Sequence, residues 1–214
     1  MSELLEFAGI LCAWAVLHSL TMSRGCKRRL AGFLGPRFAF YRLGFTVVSL
    51  TSFALVLAVL PRLPQTLYQA HGPAAWGFWV VRLAAIGFFL WTFAAFDLGE
   101  FTGLRQAARY PQGRIGPDGE TAPAGALVAS GPYRIVRHPM YLAATAYLFA
   151  EPDMTLEKLA FAVFALAYFV VGSIFEERRL VATFGPAYQA YRQSTPRLLP
   201  WPRLGHGKEH SRGH

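Results

Sequence analysis

The sequence predicts an all-α, polytopic membrane protein of about five transmembrane helices, ending in a helical hairpin and a polar tail. Three observations predict it. The 214 residues are 54% hydrophobic and only 15% charged, against about 25% charged in an ordinary soluble domain. The apolar residues are gathered into stretches close to the ~20 that a hydrocarbon core requires. The basic residues, in turn, crowd into alternate connections between those stretches.

Taken in order, Leu4–Leu20 is the first span, slightly short, and Phe38–Leu60 is the second, closed by Pro61. Ala74–Phe96 is the third and the most aromatic, with Trp76, Trp79 and Trp91. Tyr141–Ala150 is too short to cross unaided, but Pro139 suits the first position of a helix that enters there. Leu156–Phe175 is a full span, and the charged run Glu176–Arg179 follows it. The opening stretch carries Glu3 and Glu6 rather than basic residues and no small-residue cleavage site, so it is read as a retained span.

Loop charge sets orientation. Arg24, Lys27, Arg28, Arg29 and Arg37 follow the first span, whereas Pro61–Ala75 holds Arg62 alone. Arg105, Arg109, Arg114, Arg134 and Arg137 follow the third span, the turn Glu151–Glu157 is acidic, and the region after Phe175 is basic again. The positive-inside rule then puts the N-terminus outside and the C-terminus inside, with five crossings. The formal charge of +9 lies beside apolar spans, which points to anionic lipid headgroups and topology and away from nucleic acid. Cys12 and Cys26 form neither a disulfide framework nor a metal-type spacing.

The organisation expected is residues 1–110 for the first three spans and the basic inner loop, 111–200 for a cytosolic loop and the hairpin region, and 201–214 for a disordered tail with three histidines. The stretch from Pro111 to Pro132 is rich in Gly and Pro and reads as loop.

Two dense regions carry the chemistry. In the first, Gly131-Pro132-Tyr133-Arg134-Ile135-Val136-Arg137-His138-Pro139-Met140-Tyr141, Pro139 disfavours the α conformation at His138 and starts a helix with His138 as its cap. A helix N-terminus with Arg134 and Arg137 beside it suits a carboxylate or phosphate; topology charges and interfacial tyrosines are the plain alternative. The second is Glu176-Glu177-Arg178-Arg179 with Tyr188 and Tyr191. Carboxylates at the C-terminal end of a membrane helix oppose its dipole, so they pair with neighbouring arginines or serve a site. A tight hairpin lets the two regions meet, and a zwitterionic ligand with hydroxyls satisfies both.

These residues, with Leu180, Phe184-Gly185 and Pro200, resemble the isoprenylcysteine carboxyl methyltransferase family and the phospholipid methyltransferases, over roughly the last 80 residues. The resemblance implies S-adenosylmethionine bound from the cytosol by Tyr133, Arg137, His138, Pro139, Tyr141, Glu176, Glu177, Tyr188 and Tyr191, without a Rossmann domain. One departure is Ala143, where that family often has Gly. His18-Ser19, Phe96-Asp97-Leu98, Phe101-Thr102-Gly103-Leu104-Arg105-Gln106 and Pro152-Asp153-Met154-Thr155 are similar to the bacterial methanethiol S-methyltransferase and NnrU-like branch. That branch implies a small thiol or other lipophilic acceptor, with membrane lipids as the other partner. Since a thiol attacks as thiolate, His18 and Arg105 are the candidate catalytic residues; a packed polar histidine and a topology charge are their plain readings. Carboxyl methylation of an isoprenylcysteine-like or lipid acid is a rival within the same chemistry. A haem-binding or sensor protein is a rival outside it, opposed by His18, His71 and His138 falling at different membrane levels. The acceptor and the oligomeric state are left open by the sequence.

Overall fold

The computed structural model describes residues 1–95, 98–110 and 127–200. Among them the helices are α1 (Ser2–Met22), α2 (Arg24–Leu34), α3 (Tyr41–Val59), α4 (Gly72–Ala94), α5 (Leu98–Thr102), α6 (Leu104–Ala108), α7 (Pro139–Phe149), α8 (Leu156–Phe184) and α9 (Pro186–Ser194), with 3-10 turns at Gly35–Phe40 and Gly131–Arg134. Short strands β1 (Thr66–Gln69) and β2 (Asp153–Thr155) pair antiparallel. The Gly/Pro-rich stretch 111–126, Phe96-Asp97 and the tail 201–214 lie outside the described residues.

Among the described residues four helices are long and apolar enough to cross a membrane: Ser2–Met22, Arg24–Val59 taken as one rod, Gly72–Ala94 and Leu156–Phe184. Their large side chains face outward, with Val48 and Leu50 of α3 and Val80 and Leu83 of α4 about two-thirds exposed, as helices bathed in lipid require. The protein is therefore an all-α membrane protein, and α7 is the short fifth segment that the sequence marks. At 1.5 Å per residue its 11 residues span only about 16 Å.

The strand pair fixes which ends coincide. It ties the α3–α4 connection to the α7–α8 turn, with Leu156 N–H donating to the Gln65 carbonyl at 2.8 Å and Leu63 N–H donating to the Glu157 carboxylate at 3.2 Å. Phe7, Leu11, Leu60 and Leu63 form a buried cluster at that end, with Leu156 and Phe164 packed on it. The start of α7 and the far end of α8 therefore lie together at the opposite end of the bundle. Thr155 caps α8 by accepting the Lys158 N–H at 3.3 Å. The helix does not stop at Phe175 as the hydropathy suggests; it continues unbroken through Glu176–Arg179 to Phe184, because Glu, Arg, Leu and Ala are all good helix formers. Gly185, at φ 54°, ends it and turns the chain into α9.

Two further contacts hold the frame. Arg82, inside α4, pairs with Glu151 of the α7–α8 turn and lies 3.9 Å over the Tyr147 ring, while Lys158 reaches the same carboxylate at 3.0 Å. At the other end Gly103 adopts φ 91°, and a Cβ there would stand 2.4 Å from the Leu43 backbone nitrogen. That close approach lets Arg42 Nε donate to the Phe101 carbonyl at 2.9 Å and Thr46 Oγ1 to the Thr102 carbonyl at 3.2 Å. The Phe101–Gln106 motif thus docks the link after α4 onto the start of α3.

Candidate functional site

At the end opposite the strand pair, His138 caps α7 with non-helical φ −124° and ψ 67°. Pro139 follows it at the first helical position, where a missing N–H costs nothing. The chain after α9 lies alongside: the Arg137 N–H donates to the Pro196 carbonyl at 2.9 Å, and the His138 N–H to the Arg197 carbonyl at 3.1 Å. The entrance to α7 is thereby laced to the segment beyond α9, and α8 runs past both.

Glu177 of α8 is the hub. Arg137 Nε donates to its Oε1 at 2.8 Å and Nη2 approaches the same oxygen at 2.7 Å. Arg197 reaches both oxygens at 3.2 Å, Arg192 Nε lies 3.5 Å from Oε2, and His138 Nε2 lies 3.3 Å from Oε1. Arg137 Nη1 also donates to the carbonyls of Arg192 and Thr195. With side chains only 6% and 3% exposed, Arg137 and Glu177 form a buried pair whose remaining valences are filled. Such a pair is stable only when so satisfied.

Glu176, one residue earlier, differs. Its side chain is 34% exposed, with His138 Nδ1 at 3.4 Å and the Tyr141 hydroxyl donating at 3.1 Å. His138 thus sits between two carboxylates, one at each ring nitrogen, and its imidazolium form is able to donate to both. The His138 ring is stacked on Tyr141 with centroids 5.3 Å apart, and Tyr141 is stacked on Phe169 of α8 at 4.8 Å. This aromatic row fixes the face that the helix start presents to Glu176.

α9 closes the cluster. Tyr191 is buried and donates to the Tyr133 carbonyl at 2.6 Å. Tyr188 is 1% exposed, and its hydroxyl has no hydrogen-bond partner among the described residues. Burial, with the Glu177 charge added, pushes the Tyr188 phenol up to about 12; burial and Tyr188 do the same for Tyr191. Tyr133 is raised as well, by burial and by Glu176. Beside the cluster a cleft of about 460 Å³ is lined by Arg137, Gln189, Arg192 and Gln193, within the range of small-molecule sites.

Tyr133, Arg137, His138, Pro139, Tyr141, Glu176, Glu177, Tyr188 and Tyr191, named from sequence, therefore come together in one place. Arg197 belongs to the cluster and was missed, since a lone arginine in coil near the end of the chain carries no periodic or motif signal. His18 lies near the end of α1, half-buried between Trp14 at 4.8 Å and Phe45 at 5.0 Å. Arg105 is exposed on α6, which packs against α3 and the Gly35–Phe40 turn. Among the described residues no group of His, Cys, Asp and Glu is arranged to hold a metal.

These elements define a class: a polytopic helical membrane protein whose short α7 and long α8 meet in a buried, charge-satisfied polar site at one end of the bundle. The chain belongs to the NnrU protein family, whose model matches residues 6–201. It is 34% identical over 200 residues to a methanethiol S-methyltransferase of Mycobacterium tuberculosis, covering 90% of this chain and 76% of that one. It is 32% identical over 196 residues to methanethiol S-methyltransferase 2 of Bradyrhizobium diazoefficiens, covering 89% and 71%. A shorter match to the methanethiol S-methyltransferase of Pseudomonas deceptionensis is 39% identical over 77 residues, 36% of this chain and 29% of the relative. No solved structure matches the chain significantly.

Proposed function

We propose that this protein is an S-adenosylmethionine-dependent methyltransferase of the bacterial inner membrane, acting on a small thiol of the methanethiol type. The observation that carries the reading is the contrast between the two adjacent carboxylates. Glu177 is consumed by arginines and builds the site, whereas Glu176 keeps an open face beside the α7 N-terminus. The names of the similar proteins supply the reaction type.

The residues present suit such a ligand. The buried Tyr188 hydroxyl, without a partner among the described residues, is a polar atom with a valence to fill, and Glu176 is a carboxylate suited to an ammonium group. The start of α7 carries the partial positive charge that favours a ligand carboxylate. Tyr133, Arg137, His138, Pro139, Tyr141, Glu176, Glu177, Tyr188 and Tyr191 would hold the cofactor, Glu177 indirectly by fixing Arg137 and Arg197. When bound, S-adenosylmethionine supplies a methyl group on a sulfonium, ready for in-line displacement. The protein's part is to orient the partners and exclude water. Residues 111–200 would serve the cofactor and 1–110 the acceptor, with His18 taking the thiol proton and Arg105 favouring the thiolate.

In this reading the site end faces the cytoplasm, as the basic connections require, with the N-terminus outside. The test is transfer of a labelled methyl group by purified protein in detergent. The expected product is the labelled thioether from methanethiol. Labelling of an isoprenylcysteine-like carboxylate and not of the thiol would favour the rival substrate, and labelling of neither would reject the reading.

A further inference from the structure

Inside the apolar helices, polar side chains without partners are costly and mark function. One group outside the charge cluster has this character. His18 of α1 is held between the Trp14 ring, stacked at 4.8 Å, and the Phe45 ring of α3 at 5.0 Å, and no hydrogen bond engages its ring nitrogens among the described residues. Next to it, Ser19 Oγ meets the Tyr168 hydroxyl of α8 at 3.3 Å. A serine in an apolar helix ordinarily returns its proton to its own backbone, as Thr21 does to the His18 carbonyl at 2.7 Å. Ser19 turns to α8 instead. The two hydroxyls bring two protons and use one between them, so one O–H has no acceptor among the described residues.

The position of this group is informative. Tyr168 precedes Phe169, whose ring stacks on Tyr141 at 4.8 Å, and Tyr141 donates to Glu176 at 3.1 Å. Tyr168 and Glu176 are eight residues apart on α8, about 12 Å along the helix axis. Tyr168 therefore lies on the helix that carries the open carboxylate, displaced toward the middle of the bundle, and Ser19 meets it there from α1.

We propose that Tyr168 and Ser19 are the positioning pair of the acceptor seat, and that this seat takes a small, apolar thiol beside His18. The inference rests on the methyltransferase reading above and adds the residues that select and hold the acceptor. The Trp14 and Phe45 rings offer the aromatic contacts that sulfur favours, and a short alkyl chain fits beside them more easily than a long one. The free hydroxyl proton of the pair donates to the sulfur. The S–H bond breaks as its proton passes to an imidazole nitrogen of His18, and the sulfur keeps the electron pair. A carboxylate acceptor gains little from this seat, having one hydroxyl donor and no cation of the seat to meet it.

The test compares wild type, Tyr168→Phe and Ser19→Ala, each as the full chain in detergent. S-adenosylhomocysteine affinity is measured by calorimetry and methyl transfer to methanethiol and to 1-pentanethiol by label. The expected result for both variants is a KM for methanethiol raised about tenfold, the scale of a lost hydrogen bond to a charged group. S-adenosylhomocysteine affinity stays within twofold of wild type, and wild type prefers methanethiol to the longer thiol. An unchanged KM in both variants overturns the proposal. So does a parallel loss of S-adenosylhomocysteine affinity, which would place the pair in the cofactor region or the folding frame. A wild type that binds no S-adenosylhomocysteine and labels no thiol removes the methyltransferase reading itself, and this proposal with it.

Discussion

Arg137 at the entrance to α7 donates through Nε to Glu177 of α8 at 2.8 Å, across 40 positions of sequence. Both side chains are buried, and Arg197, Arg192 and His138 gather on the same carboxylate. One contact thus fixes three segments: the start of α7, the far part of α8 and the chain after α9.

Glu177→Gln should accordingly be a structural lesion first. Removing one member of a buried pair leaves the other charge uncompensated, at about 3–5 kcal/mol. Thermal unfolding in detergent should show a large fall in midpoint, whereas Glu176→Gln, which removes a more exposed charge, should leave the midpoint close to wild type. Equal midpoints for the two variants would contradict the division of roles between these neighbours.

The buried phenols of α9 predict a specific response to alkali. An unfolded chain releases its tyrosine protons near pH 10, while Tyr188 and Tyr191 hold theirs to about 12. Between those values the folded protein binds more protons than the unfolded one, so stability present below pH 10 is lost as pH rises toward 12. The Tyr188→Phe, Tyr191→Phe double variant should lose less stability than wild type between pH 9 and 11.5. An identical pH slope would place these hydroxyls in contact with water.

Gly103→Ala should disturb the junction of α6 with α3. The residue stands at φ 91°, and a methyl group would come within 2.4 Å of the Leu43 nitrogen. Strain in that region costs of order 1–3 kcal/mol, before the backbone clash is added. Reduced yield and a lowered midpoint are expected, whereas Gly9→Ala, with open space around the new carbon, should be silent. Equal behaviour of the two would show that α6 does not approach α3 so closely.

Arg82→Leu should destabilise the protein by leaving the buried end of Glu151 to the more exposed Lys158 alone, and Arg82→Leu combined with Glu151→Gln should recover much of the loss. The reason is that the charge left behind, more than the pair itself, carries the penalty. A double-mutant cycle on unfolding midpoints measures this coupling. Additive losses would show that the two side chains do not meet.

Most of the frame was legible from hydropathy, because lipid-facing helices announce themselves by length. Pro139 marked the start of α7 and His138 its cap, since proline constrains both its own backbone and that of the residue before it. The continuation of α8 past Phe175 was not legible, because hydropathy reads where lipid ends and says nothing of where the helix does. The meeting of His138 with Glu176 and Glu177 was legible only through the hairpin argument. Arg82 was passed over, because a single charge in a long apolar run gives no sign of its partner. The difference between Glu176 and Glu177 depends on Arg197, whose location is a matter of tertiary packing. Asp97 of the N-terminal motifs lies outside the described residues.

The most direct measurement is calorimetric titration of S-adenosylhomocysteine into purified wild type, Glu176→Gln and Tyr188→Phe, with folding checked by unfolding midpoints. The account predicts saturable binding by wild type and affinity weakened about tenfold in each variant at nearly unchanged midpoints, each having lost a group proposed to hold the ligand. Equal affinity in all three proteins, or no binding by a folded wild type, would contradict it.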